Sequence, residues 1–253
     1  RPEGSPDVSI PSASAYAAIM AQRHIITDAA ERRRIIAGQI NALAAEVGGR
    51  IPENAALLDE VTNLVERPTA LRGSFDPKYL HLPPEALITV MKKHQRYFPI
   101  VSPEGKLLPY FIAVRNGDDV HLDVVREGNE SVLTARYADA EFFFAEDRKQ
   151  PLEAFLPVLD TLTFQEKLGS MLAKSKRIET LTARLSGALG LDAAQKQIAG
   201  RAAHLCKADL ATKMVVELTS LQGVMGREYA LLSGEKPDVA KAIYEHYLPR
   251  YAG

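Results

Sequence analysis

The sequence predicts an α+β module with a small sheet that contains a β-hairpin, followed by an all-helical domain, so that the chain is predominantly helical. Apolar residues recur at helical spacing between residues 28 and 65. Two short β-like runs then flank a turn at 102–105, and the strand signal vanishes after about residue 120. Charge and proline interrupt the pattern at 148–151, so we expect domains at 1–147 and 148–253.

The composition is that of a globular protein, with 253 residues, 46% hydrophobic and 25% charged. A net charge of -1 excludes a global basic field, so any RNA contact must come from local patches. The single Cys206 excludes an intramolecular disulfide, and its apolar neighbours predict a buried thiol. No apolar run is long enough to span a bilayer and no signal peptide is visible, so we expect a cytoplasmic protein without a membrane partner.

The first module should begin with two helices. Residues 1–20 are rich in Pro, Ser and Gly and predict a loop or extended chain. Asp28 with Glu31 three residues later predicts a capping box, and the helix that follows should stop at the glycines 48–49. A second helix should begin near Asn54 and end before Pro68.

A short helix and a hairpin should follow. The prolines at 83–84 open a short helical pattern with Leu87 facing inward. The runs 97–101 and 107–114 have strand composition, and Ser-Pro-Glu-Gly at 102–105 is suited to a turn. We therefore expect an antiparallel hairpin whose second strand is closed by the Asn-Gly pair at 116–117.

The rest of the chain should be helical. One long helix or two should extend to Phe144. The helical patterns that follow cover 151–160, 164–188, 193–217, 221–233 and 237–247.

Common nucleotide and metal motifs are missing from the sequence. It contains no Gly-rich phosphate loop followed by Lys-Ser/Thr, and the glycine pair at 223 and 226 is better explained by close helix packing or a local break in a helix. The six histidines form no His-x-x-x-His pair, and one cysteine cannot build a zinc site.

One segment, 204–213, is similar to the central helix of HD-type phosphohydrolases. In that family an adjacent His and Asp ligate a metal, and a Lys often follows one turn later. Asp209 and Lys213 match, but Ala208 stands where the His should be, and His204 could approach only from the preceding turn. Losing the imidazole removes a metal ligand. We therefore expect a degenerate position at Asp209 and no metal, with a metal-dependent phosphohydrolase as the alternative.

A cluster of cations precedes the first predicted strand of the hairpin. Lys92, Lys93 and Arg96 adjoin Tyr97 and Phe98, a combination suited to phosphate contact and base stacking. The alternative is a solvated helix end, because cations are also favourable at the C-terminus of a helix dipole.

An ordered set of short motifs indicates a family resemblance. These motifs follow one another from residue 64 to the end, although an aromatic residue would be expected at Arg67. They lie at 64–68, 82–88, 91–99, 108–117, 125–130, 135–144, 164–169, 207–210, 221–226 and 247–253. In their order they resemble the β subunit of bacterial-type glycyl-tRNA synthetases, and residues 1–63 are compatible with it.

The resemblance implies a glycine–tRNA ligase in which the α subunit, or a fused α region, holds the catalytic site with ATP and Mg. The β subunit would help to bind tRNA(Gly). This chain would be an internal fragment, since both ends look cut, with a B3/B4-like module followed by an HD-like domain. No catalytic residue and no cofactor is expected within it.

Charge and context, rather than the family, select the candidate tRNA contacts: Lys92, Lys93, Arg96, Lys207, Lys213 and Arg227. Two alternatives stay open. One is HD-type hydrolysis or editing of mischarged tRNA, and the other is a structural module that contacts only other subunits.

Overall fold

A computed structural model of the chain describes residues 7–250, in two compact units, Arg1–Ala138 and Asp139–Gly253. Residues 1–6 of the predicted extended segment and residues 251–253 of the last motif lie outside the described residues. None of the helices in the described part is long and apolar enough to cross a bilayer.

The first unit begins with a helix where the sequence predicted only loop. Helix α1 spans Tyr16–Gln22, after a 3₁₀ turn at Ala13–Ala15, so the expectation of loop over 1–20 was wrong for its last residues. Sparse apolar residues before Tyr16 hid this helix. It has no buried residue, so the core imposes no apolar periodicity on it.

The next two helices begin at the predicted cap residues, but within the described part of the chain only the Asp28 half of the expected capping box forms, without a bond from the Asp28 amide to the Glu31 side chain. Helix α2 spans Ala29–Ala45, and Asp28 accepts hydrogen bonds from the amides of its first turn. Helix α3 spans Ala55–Leu64 and is capped by the Asn54 side chain. The side-chain oxygens satisfy backbone N–H groups that the helix itself leaves without acceptors.

A three-stranded antiparallel sheet follows, in the order β1-β3-β2. Strands β2 (Phe98–Val101) and β3 (Leu107–Asn116) form the predicted hairpin, and Gly105 in its turn has a φ of 87°. Strand β1 (Pro68–Ser74) was not predicted. It is an edge strand that begins with proline and contains glycine, and both residues weaken a strand signal.

The remaining helices that begin in this unit agree with those predicted from the sequence. Helix α4 (Pro84–Thr89) continues as a π-helix at Val90–Gln95, and Arg96 ends it in the left-handed conformation with a φ of 56°. Helix α5 (Leu122–Asp147) is one long helix, one of the two arrangements that the sequence allowed, and its residues from Asp139 onward belong to the second unit.

Two apolar clusters hold the first unit together. On one side of the sheet, strands β2 and β3 pack against α2 and α3 through Ile36, Ile40, Ala44, Leu57, Val61, Val65, Phe98, Ile100 and Ile112. Elsewhere Tyr137 of α5 lies edge-on to Phe75, at 5.0 Å between ring centroids, and donates a hydrogen bond to the Leu87 carbonyl. These buried side chains supply most of the free energy of folding of the unit.

We predict opposite effects for two glycine-to-alanine changes in this unit. A Cβ at Gly73 of β1 would lie 2.3 Å from the Phe111 ring, which is buried and stacked on Tyr97. Gly73→Ala should therefore lower the free energy of unfolding by about 1–3 kcal/mol. Gly38 of α2 has open space at its Cβ position, so Gly38→Ala should raise it by about 0.5–1 kcal/mol. Urea denaturation measures both, and equal effects would contradict this packing.

The second unit is helical, with one small exception. After a 3₁₀ helix at Leu152–Thr161, strands β4 (Thr163–Gln165) and β5 (Gly169–Ser170) form a hairpin where a helix from residue 164 was predicted. The helix begins only at Met171, and the hydroxyl of Ser170 caps it. The remaining helices are α6 (Met171–Ala188), α7 (Ala193–Leu205), α8 (Lys213–Glu217), α9 (Val224–Leu232) and α10 (Pro237–Glu245).

The expected continuous helix over 193–217 is broken. Helix α7 ends at Leu205, the 3₁₀ turn Ala208–Ala211 follows, and Thr212 caps the new helix α8. A second acceptor at the start of α8 is the buried Asp147, whose two oxygens accept from the amides of Lys213 at 2.8 Å and Met214 at 3.0 Å. A buried carboxylate thus fixes where α8 begins.

Candidate functional site

Asp209 is fully buried in the 3₁₀ turn Ala208–Ala211 and caps another helix. Its Oδ2 accepts hydrogen bonds from the amides of Gly223 at 2.6 Å and Gly226 at 3.2 Å, at the start of α9. Gly223 has a φ of 76°, and a Cβ at Gly226 would lie 3.0 Å from Asp209 Oδ2 and 2.8 Å from Ile243. The predicted close packing at the glycine pair is confirmed, since it lets this carboxylate approach the backbone.

The surroundings of Asp209 do not fit a metal ion. The residue beside it is Ala208, and the imidazole of His204 is engaged by other carboxylates. His204 Nδ1 lies 3.1 Å from Glu179 Oε1, and Nε2 lies 3.0 Å from Glu153 Oε1. Across residues 7–250, no three His, Cys, Asp or Glu side chains are grouped as a metal would require. His204, which could approach only from the preceding turn, therefore does not supply the missing imidazole.

Burial also changes the acidity of Asp209. Loss of solvent raises its pKa to about 6, although the amides of Gly223 and Gly226 oppose that rise. Its other oxygen, Oδ1, has no hydrogen-bond partner among the described residues. A carboxyl in this setting favours the neutral form far more than an exposed one does.

We predict that Asp209→Asn removes one component of the pH dependence of stability. Because the folded pKa exceeds the unfolded one, the folded state binds the extra proton between about pH 4 and about pH 6. Stability is therefore highest below this window and falls as pH rises through it, by up to about 3 kcal/mol from this group.

Asparagine does not titrate, so the fall in the free energy of unfolding between about pH 4 and about pH 6 should be smaller in the variant. Denaturation at a series of pH values measures this change. Exposed Asp139→Asn serves as the control and should keep the wild-type fall. A wild-type slope retained in Asp209→Asn would contradict the assignment.

Lys207, one of the predicted tRNA contacts, is turned inward. Its Nζ lies 2.8 Å from His246 Nε2 and 3.8 Å from the centroid of the Tyr247 ring, and only 9% of the residue is exposed. His246 Nδ1 lies 2.5 Å from the Ile243 carbonyl and donates to it, so Nε2 is left as the acceptor for the ammonium. Burial, and then the Lys207 charge, lower the pKa of His246 to about 4.

The structure brings Lys207 and Arg227 to one aromatic cluster. The Arg227 guanidinium lies 5.2 Å from the Tyr244 ring centroid, while Arg250 lies 5.8 Å from both the Tyr244 and the Tyr247 rings. Arg250 also donates to the Ser220 and Gln222 carbonyls. Sequence reasoning missed Arg250, because nothing local distinguishes it from other surface cations.

Lys213 lies elsewhere in the same unit. Its Nζ is 3.6 Å from Glu146 Oε2 and 5.3 Å from the Phe142 ring centroid, and its side chain is 53% exposed. Lys213 thus has a carboxylate partner but stays open to solvent.

Lys92, Lys93 and Arg96 lie together at the end of the π-helix in the first unit. Lys93 is exposed and Lys92 is half-buried, which lowers the Lys92 pKa through loss of solvent. Arg96 pairs with Glu60, at 2.9 Å between Nε and Oε1, and both side chains are about half exposed. The expected solvated helix end is therefore also a cluster of accessible cations.

Comparison with known proteins assigns the chain to a class and a family. A family model described as the glycyl-tRNA synthetase beta subunit matches residues 1–253, which identifies an aminoacyl-tRNA synthetase subunit. The chain belongs to the glycyl-tRNA synthetase β subunit family. It is 49% identical to the glycine–tRNA ligase beta subunit of Moorella thermoacetica, over 96% of this chain and 35% of that protein.

Other relatives with the same name match this chain with similar identity and coverage. The subunit of Desulforamulus reducens is 50% identical over 98% of this chain and 36% of its own length. The subunit of Shouchella clausii is 50% identical over 94% of this chain and 34% of its own length. The chain thus spans about a third of the length of these curated relatives. The family resemblance inferred from the ordered motifs is confirmed.

Proposed function

We propose that the chain is a core part of a glycyl-tRNA synthetase β subunit that helps to bind tRNA(Gly) in the cytoplasm. Glycine would be attached to the tRNA, with ATP and Mg, at the site of an α subunit or a fused α region. Family membership supports this role, and the names of the relatives supply the reaction. The B3/B4-like and HD-like character of the two domains, 1–147 and 148–253, stays part of the proposal.

The accessible cations at the end of the π-helix carry the tRNA-binding proposal. Lys93 is exposed and has no hydrogen bond or ion pair within the described part of the chain, and Lys92 lies beside it. An unpaired ammonium breaks no ion pair within the protein when it contacts a phosphate. The contact also releases counterions that were condensed on the RNA. Arg96, held by Glu60, would orient this end of the helix toward the backbone.

A second set of proposed contacts lies in the helical unit. Lys213 is the most accessible of its members, whereas Lys207 and Arg227 lie against Tyr247 and Tyr244. Lys207 would reach a phosphate only by leaving His246, so its contribution should be smaller than that of Lys213.

We predict that the double variant Lys92→Glu and Lys93→Glu weakens tRNA(Gly) binding and flattens its salt dependence. In a gel-shift titration at several salt concentrations, the slope of log K against log [salt] should shrink by about one for each phosphate that the variant no longer neutralises. Lys106→Glu, an exposed lysine in the turn of the hairpin, is the matched control and should leave the slope unchanged. Equal slopes for wild type and double variant would refute the proposed binding by these lysines.

The fragment should lack the aminoacylation site. We expect the purified chain alone to show no glycine-dependent exchange of pyrophosphate into ATP, and activity to require the α region. Exchange by the chain alone would contradict this division of labour.

Hydrolysis is the alternative that the site supports least. Metal-dependent phosphohydrolysis needs a metal held by the protein to activate water. The Asp209 oxygen that faces polar groups is occupied by the amides of Gly223 and Gly226, and Ala208 supplies no ligand.

A further inference from the structure

The first unit contains a cavity of about 610 Å³ that none of the proposed tRNA contacts lines. It lies between the turn after α1, the segment joining α3 to β1, the end of β3 and the start of α5. Three arginines from separate elements, Arg23, Arg67 and Arg115, contribute to its wall. The volume is within the range of small-molecule sites.

The backbone around the cavity is tightly connected. The Asn116 side-chain oxygen accepts hydrogen bonds from the amides of Glu66 at 3.1 Å and Arg67 at 3.0 Å. The Gly117 amide donates to the Arg67 carbonyl, and the Ile26 amide donates to the Glu66 carbonyl, each at 2.9 Å. These four bonds hold the arginine-bearing segments in place, so the wall is formed before any ligand arrives.

The arginines are only partly neutralised. Arg67 and Arg115 share one carboxylate, Asp118, at 3.7 and 3.5 Å, and Arg115 also donates to the Val120 carbonyl. The half-buried Arg23 has no hydrogen bond or ion pair within residues 7–250. Three guanidinium groups thus face two lining carboxylates, those of Glu66 and Asp118. One positive charge is left over, and a bound anion would balance it.

Another part of the wall is apolar. Ile25, Val120, Val124 and Val125 line it, and Val120 and Val124 are 52% and 62% exposed. The cavity therefore pairs an anion-binding side with a surface that an apolar group would cover.

The backbone is also unusual at two positions of the rim. His24 and His121 line the cavity with φ values of 60° and 56°, a conformation that non-glycine residues seldom adopt. Such strain persists where the surrounding structure enforces it, and it concentrates at ligand sites.

We propose that this cavity binds a small organic anion. One phosphate or carboxylate group would accept hydrogen bonds from Arg23. It would also accept from those guanidinium N–H groups of Arg67 and Arg115 that do not bond to Asp118 or to the Val120 carbonyl. The body of the ligand would cover Val120 and Val124. Guanidinium groups suit both oxyanions because they donate two parallel N–H bonds.

Isothermal titration calorimetry of the purified chain tests the proposal with three probes: phenyl phosphate, benzoate and inorganic phosphate. Phenyl phosphate and benzoate carry different oxyanions on the same flat apolar ring, so at least one of them should bind more tightly than inorganic phosphate. Their ranking identifies which oxyanion the site prefers. Failure of all three probes to bind at millimolar concentration would overturn the proposal.

Variants locate the binding. Arg23→Ala should lower the affinity for the preferred probe by roughly tenfold to a hundredfold, the range for removal of a charge-assisted hydrogen bond. Arg23→Lys should restore part of that affinity. Arg34→Ala, at an exposed arginine of α2 outside the cavity, is the matched control and should bind as the wild type does. Equal binding by Arg23→Ala and Arg34→Ala, both with wild-type melting temperatures, would overturn the assignment to this cavity.

Discussion

The helical unit depends on two buried carboxylates that act as helix caps. Asp147 accepts hydrogen bonds from the first amides of α8 and from the Tyr229 hydroxyl, at 2.8 Å, while Asp209 accepts from the amides at the start of α9. Each replaces water as the acceptor for N–H groups that a helix cannot satisfy by itself. Because α9 carries Tyr229 and packs on α10, these bonds also set the position of the aromatic cluster around Tyr247.

Local chemistry in the sequence was enough to predict features that local chemistry determines. Asp28 and Asn54 begin helices because their side chains bond the next turn, and the turn at 102–105 joins two strands. Strand β1 and the break before Asp209 depend on distant partners instead. Strand β1 pairs with residues more than thirty positions away, and Asp209 caps a helix whose N-cap residue, Gly223, lies 14 residues later. Such pairings leave little trace in a local window.

The candidate site likewise combines features that the local sequence predicts with features that depend on distant parts of the chain. The similarity to an HD motif pointed to Asp209 and to the substituted Ala208, but only the three-dimensional structure reveals that backbone amides engage the carboxylate. The cavity arginines, Arg23, Arg67 and Arg115, come from three separate elements, and no motif links them. Family membership, by contrast, follows from many short motifs in order, which a single sequence displays fully.

The central claim is that the carboxylate of Asp209 serves the fold rather than a metal ion. Its most direct test is thermal unfolding of the wild type and of Asp209→Asn, each with and without millimolar MnCl₂. A ligand that binds only the folded state raises the melting temperature, so a metal site would reveal itself in the wild type. The account predicts no shift with Mn²⁺ in either protein. A rise in the wild type that Asp209→Asn abolishes would contradict it.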